Sequence, residues 1–142
     1  MSDQITLCEV YPVGKGDFET AGEVSASIKR ILKKLGVDSG VVRRVSIAAY
    51  EVELNLVIHS LGGEIELRVR PDYLELNVRD RGPGIPDIEM AMREGYSTAT
   101  DDVRTMGFGA GMGLPNMKRN ATDFRIESTV GVGTTIEMGF QL

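Results

Sequence analysis

Three stretches carry residues whose types and spacing can do chemistry together. In "YEVELNLVIHS", Glu51, Asn55 and His59 are four residues apart, so they stack on one face of a helix drawn through them. A carboxylate there can accept a proton. An amide oxygen one turn away can meet Mg²⁺, which takes oxygen ligands and shares its shell with substrate phosphates. The plainer reading is a polar helix face turned to solvent. In "NVRDRGPGIPD", Asp80 is followed by Gly82, Pro83 and Gly84. This is either a common strand-end turn or a carboxylate placed to accept from the amino group of an adenine, with Gly84 making room for the ring. In "GFGAGMGLPNMKR", Gly107, Gly109, Gly111 and Gly113 occupy alternate positions ahead of Pro115. A surface loop accounts for such a run. So does a phosphate cradle, because backbone without Cβ atoms can approach a pyrophosphate and point N–H groups at it. Pro115 suits the first residue of a helix, and that helix would aim its positive end at the loop.

These stretches need elements to position them. Residues 5–13, "ITLCEVYPV", are β-branched and partly alternating, a first strand. Residues 17–36 form a helix pattern, with Val24, Ile28, Ile31, Leu32 and Leu35 at three- and four-residue spacing and Gly36 as its stop. A second helix runs from a cap at Asp38 or Ser39 to Gly62-Gly63 and carries Glu51 and Asn55. Its Val45, Ala49, Val52 and Leu56 make the neighbouring apolar face. Residues 63–80 are a hairpin turned at Pro71-Asp72 and ending on Asp80. A short helix, "IPDIEMAMREG", an aperiodic loop over 96–107, a helix over 114–121 and two strands joined by "VGVG" complete the chain. The order predicts one α+β domain over 1–142, a two-layer sandwich of a sheet with helices on one face.

Composition narrows the function classes. The 142 residues are 42% hydrophobic and 26% charged, with a net charge of −5, so a core is expected and nucleic-acid binding through bulk charge is not. One cysteine, Cys8, and one histidine, His59, leave no disulfide framework, usual zinc site or Ser-His triad. Cys8 is expected to be a reduced core thiol. Neither a signal peptide nor a run of about 18 apolar residues is visible, and the reading is a cytoplasmic protein. The P-loop G-x-x-x-x-G-K-[ST] is missing, and no strand leads directly into the glycine run as a dinucleotide fingerprint requires.

Taken in order, Glu51-x-x-x-Asn55, Asp80-x-Gly82-x-Gly84, the run ending Gly113-Leu114, and "GVGTT" at 131–135 resemble the four nucleotide-binding boxes of the GHKL ATPase superfamily, over about residues 18–142. Within it, "DRGPGIPDIEMAMREGYST" and "GAGMGLPNMKRNATDFRIESTVGVGTT" are most similar to partner-switching serine/threonine kinases of the RsbT stressosome type. "NLVIH" is similar to the RsbW and sporulation anti-sigma kinases. The resemblance implies a Bergerat fold, with a mixed, largely antiparallel sheet under helices and ATP·Mg²⁺ between them. It implies that Glu51 is the catalytic base and Asn55 the Mg²⁺ ligand. Asp80 would bind adenine, with Gly82, Gly84 and Ile85 beside it. Gly107, Gly109, Gly111, Met112, Gly113 and Leu114 would surround the phosphates, Thr134 or Thr135 would support the adenine site, and residues 87–106 would be an ATP lid. One departure is that "ATDDVRTMGF" is longer than the pattern between "GYST" and the glycines.

The function so implied is ATP-dependent phosphorylation of a STAS-domain partner, an anti-sigma-factor antagonist or stressosome-type protein. A sigma factor or PP2C-type phosphatase would be a further partner, and a homodimer is one open oligomeric state. Neither nucleic acid nor membrane is expected as a partner. The alternative is an ATP-binding module that sequesters or activates a protein with little turnover, and Glu51 discriminates the two, since a binder needs no base. A free-standing histidine-kinase catalytic domain is disfavoured because no helix with a phospho-accepting His precedes the pattern.

Overall fold

The computed structural model describes residues 5–14, 16, 18–93 and 113–142. The expected loop over 96–107, most of the expected lid, and Gly107, Gly109, Gly111 and Met112 lie outside the described residues.

The elements follow the predicted order. Strand β1 is Leu7–Val13; a 3-10 turn at Phe18–Thr20 leads to helix α1, Glu23–Lys34; α2 is Ser39–His59; β2 is Gly63–Val69 and β3 Tyr73–Asp80; α3 is Ile88–Ala91; α4 is Gly113–Asn120; β4 is Asp123–Thr129 and β5 Gly133–Gln141. The five strands make one sheet in the order β1-β2-β3-β5-β4. All four pairings are antiparallel, so the sheet expected to be mixed and largely antiparallel holds no parallel pair among the described residues. Short turns join β2 to β3 and β4 to β5, whereas β1 reaches β2 through α1 and α2, and the chain between β3 and β4 carries α3 and α4.

Alternation decides which residues meet the helices. Ile65 and Leu67 on β2, Leu74, Leu76 and Val78 on β3, and Ile136, Met138 and Phe140 on β5 are buried. They pack with Ile28 and Leu32 of α1, Val45, Ala49, Val52 and Leu56 of α2, and Met117 of α4. The central helix α2 packs against α1 on one side and α4 on the other. The opposite sheet face carries charge, including the ion pairs Arg70–Glu75 and, at 2.6 Å, Arg125–Glu127. Cys8 stands opposite Arg68 in the β1–β2 register and is exposed. The core assignment for this thiol fails because its position on the strand points away from the helices.

Helix ends also depart from the sequence pattern. The carboxylate of Asp38 caps α2, accepting from Gly40 N at 3.0 Å. Helix α2 stops at His59, before the two glycines, where the Ser60 hydroxyl accepts from Gly62 N at 2.9 Å. Helix α3 holds four residues rather than the longer stretch expected. The described part of α4 begins at Gly113, so Pro115 is not its first residue. Proline is still accommodated, because N–H groups of a first turn have no intrahelical acceptor. Among the described residues, no helix is long and apolar enough to cross a membrane.

Candidate functional site

The C-terminal half of α2 supplies one wall. Val52 and Leu56 anchor it in the core, and the 3.6-residue repeat leaves Glu51, Asn55 and His59 half-buried on the adjoining face. The Glu51 carboxylate is not turned to bulk solvent. Its Oε1 accepts from Asn116 Nδ2 at 3.3 Å, because α4 lies alongside α2. A Cβ on Gly113 would lie 3.5 Å from Glu51 Oε2, so the start of α4 approaches the carboxylate with backbone alone. The side chain of Asn55 has no hydrogen-bond partner among the described residues and is free to offer its oxygen. Burial pushes the imidazole of His59 below its ordinary value, which keeps it neutral near pH 7. Leu114 is buried in the core, so its side chain serves packing.

The second wall is the end of β3. Asp80 falls on the helix-facing side of the sheet, in phase with Val78 and Leu76. Its Oδ1 accepts from Thr134 N at 2.8 Å. Burial raises its carboxyl above the ordinary aspartate value, and the Thr134 N–H opposes that rise in part. Its other oxygen has no protein partner among the described residues. The strand's period of two separates the paired threonines. Thr134 is buried, and its hydroxyl lies 2.8 Å from that of Ser128. Thr135 pairs with Arg79 and Glu127, and its side chain stands on the open face. Of the two, only Thr134 reaches the Asp80 site.

The turn after Asp80 is laced to the β4–β5 turn. Gly82 N donates to Val132 O at 3.2 Å, and Gly131 N donates to Pro83 O at 2.9 Å. Ile85 N donates to the Ser128 hydroxyl at 2.7 Å. Gly84 has φ +75, and a Cβ on it would come within 2.5 Å of Thr129 O. Both the left-handed conformation and the lack of space demand glycine. A Cβ on Gly133 would collide with the carbonyl of Asp80. Gly84 and Gly133 therefore bring the backbones of two turns together around one carboxylate. Ser128 was not singled out from sequence; its place in "RIEST" resembles any polar strand residue, and only the β4–β5 register takes it to Ile85.

Among the described residues, no group of three His, Cys, Asp or Glu side chains could hold a metal ion. An oxygen from Asn55 combined with nucleotide phosphates suits Mg²⁺, which retains few protein ligands. The half-buried Asp80 carboxylate, with one oxygen tied and one open, suits an exocyclic amine. The residues present thus fit a magnesium nucleotide laid from Asp80 to α2.

Residues 40–142 match the family model described as histidine kinase-, DNA gyrase B-, and HSP90-like ATPase. The serine/threonine-protein kinase RsbT of Bacillus subtilis is 32% identical over 113 residues, covering 77% of this chain and 79% of RsbT. An anti-sigma F factor from a Thermoanaerobacter species is 30% identical over 99 residues, covering 66% of each chain. In solved structures, the fold matches a chain of the SiaB–SiaC complex from Pseudomonas aeruginosa (TM-score 0.62, 10% identity, 96% of this chain and 89% of that one). It also matches the mycobacterial sensor histidine kinase MprB (TM-score 0.52, 20% identity, 92% and 97%). With the family model spanning most of its length and with the Asp80 turn, the α2 face and the antiparallel sheet in place, the chain belongs to the histidine kinase-, DNA gyrase B- and HSP90-like ATPases.

Proposed function

We propose that this chain, a protein serine/threonine kinase of that ATPase family, works in a bacterial partner-switching system and phosphorylates a STAS-domain protein. The observation that carries the reading is the pairing on one face of α2 of a half-buried carboxylate, Glu51, with an amide free to take a metal, Asn55. The relatives named as a serine/threonine kinase and as anti-sigma F factors support the partner class. The domain is taken as a single unit over 1–142.

Bound ATP·Mg²⁺ would supply the γ-phosphoryl group and offset the charge of its transfer. Asp80 would accept from the adenine amine through its open oxygen while Thr134 N holds the other. Gly84 would leave room for the ring, and Ile85 and Gly82 would shape its surroundings. Asn55 would fix the metal. Gly113, with Gly107, Gly109, Gly111 and Met112 before it, would meet the phosphates. Glu51 would take the proton of the partner's Ser or Thr hydroxyl as that oxygen bonds to the γ-phosphorus and the bond to the ADP oxygen breaks. Positioning and proton removal are the main protein contributions to such a transfer.

The test is incubation with γ-labelled ATP and the STAS-domain proteins of the same genome. One of them should take label. Glu51→Gln keeps the side chain's size and removes its basicity. It should retain ATP·Mg²⁺ binding while single-turnover transfer falls by about a hundredfold or more. Unchanged transfer would remove the base role and favour a nucleotide-dependent binding module.

A further inference from the structure

We propose that Asn116 is the positioning residue for the Glu51 carboxylate and that Arg119 sets the orientation in which Asn116 does so; the inference rests on Glu51 acting as base. Asn116 Nδ2 lies 3.3 Å from Glu51 Oε1. Its Oδ1 accepts from Arg119 Nη1 at 2.9 Å. A guanidinium only donates and an ionised carboxylate only accepts. The amide between them therefore has one allowed orientation, oxygen to Arg119 and nitrogen to Glu51. The flip ambiguity that usually attends an Asn is removed by chemistry. Aspartate at 116 would offer Glu51 a second acceptor, and lysine would offer Arg119 a second donor.

The two oxygens of Glu51 are thereby divided. Oε1 is anchored by Asn116. Oε2 faces Gly113, the first described residue of α4, where a Cβ would stand 3.5 Å away. A glutamate carries three side-chain torsions and would otherwise sample several rotamers. The Asn116 bond reduces that freedom and leaves Oε2 as the working oxygen. Asn116 and Arg119 are three residues apart on α4, on one face, and the helix is fixed beneath them by buried Leu114, Pro115 and Met117. The clamp thus joins α4 to α2 at the base itself, across 65 residues of sequence. The bond that Asn116 makes towards the site is the one to Glu51, so its part is to act through that carboxylate.

Single-turnover transfer from γ-labelled ATP to the STAS-domain protein that takes label gives the first readout. Asn116→Asp should lower the rate by about ten- to a hundredfold, the cost of a misplaced base, with ATP·Mg²⁺ affinity changed by less than about twofold. In a Glu51→Gln background the same change should add less than about twofold, because the two residues act as one unit. Arg119→Gln, at an exposed site, should give a smaller loss that also vanishes in that background. Full activity in Asn116→Asp, losses that multiply in the double variants, or a loss seen only as weaker ATP binding would overturn the inference. A second readout needs no acceptor. The side-chain amide resonances of Asn116 should move on Glu51→Gln, while those of Asn77, on the far face of the sheet, stay. If they do not move, the contact is absent and the inference falls. If they move and no STAS-domain protein takes label, the positioning contact stands and the kinase–partner reading is the part that fails.

Discussion

At Asp80, the two oxygens of one carboxylate have different surroundings, one bonded to Thr134 N and one without a protein partner among the described residues. Burial raises this carboxyl, so the folded protein prefers it protonated more than the unfolded chain does. The sign follows by linkage. The contribution to stability is fully present below the ordinary aspartate value of 3.8 and is lost as pH rises through the raised folded value. Asp80→Asn should therefore make the nucleotide-free protein more heat-stable near pH 7, an advantage that disappears below about pH 3.8. The same variant should bind ATP about ten- to a hundredfold more weakly, since a charge-assisted bond contributes about 1.5–3 kcal/mol. Paired thermal melts across pH and an ATP titration check both halves; a variant less stable at neutral pH would contradict the burial argument. The positions of Asp80 at a strand end and of Glu51 on a helix face were legible in the sequence because each sits in a local pattern, a strand-end turn or a helical repeat. Thr134 could not be told from Thr135 until the strand's phase was fixed. Asn116 was invisible, since its partner lies on another helix and no local spacing records that crossing.

At the level of elements, the periodic segments were readable and their ends were not. Strand β4 falls on the predicted residues because "DFRIEST" alternates cleanly between charged and partly buried positions. Helix α1 shows why ends are harder. It starts after Gly22, which has φ +101 and offers no side chain to cap it. Its cap comes instead from α2. The carboxylate of Glu53 accepts from Gly22 N at 3.0 Å, Val24 N at 3.3 Å and Ser25 N at 3.1 Å. Glu53 is 2% exposed, a buried charge balanced by the N-terminal dipole of a neighbouring helix. From sequence it is one more acidic residue two places after Glu51. Glu53→Ala should strand buried donors and destabilise the fold by about 2–4 kcal/mol, with the amides of α1 losing exchange protection before those of β3. Chemical denaturation with amide exchange measures both. Equal loss across the two elements would mean that the cap does not govern α1 separately.

Over the whole molecule, the expected nucleotide would touch parts far apart in sequence, α2, the β3 end, β5 and the start of α4, so binding should be read as global stability. ATP·Mg²⁺ at a hundred times its dissociation constant should add about 2.7 kcal/mol to unfolding, seen as a rise in melting temperature that GTP at the same concentration fails to reproduce. An equal rise with GTP would show that Asp80 does not select the base. The lacing of the Asp80 turn to the β4–β5 turn has a further outcome in time rather than in affinity. Those backbone bonds, from Gly82 to Val132 and from Gly131 to Pro83, are made within the protein and need no phosphate to close them. A grip on adenine built on them should then be the same before and after the terminal phosphate has gone. The spent nucleotide should linger, its departure slower than the chemistry, and added ADP should melt-protect the protein nearly as well as ATP and hold back every turnover after the first.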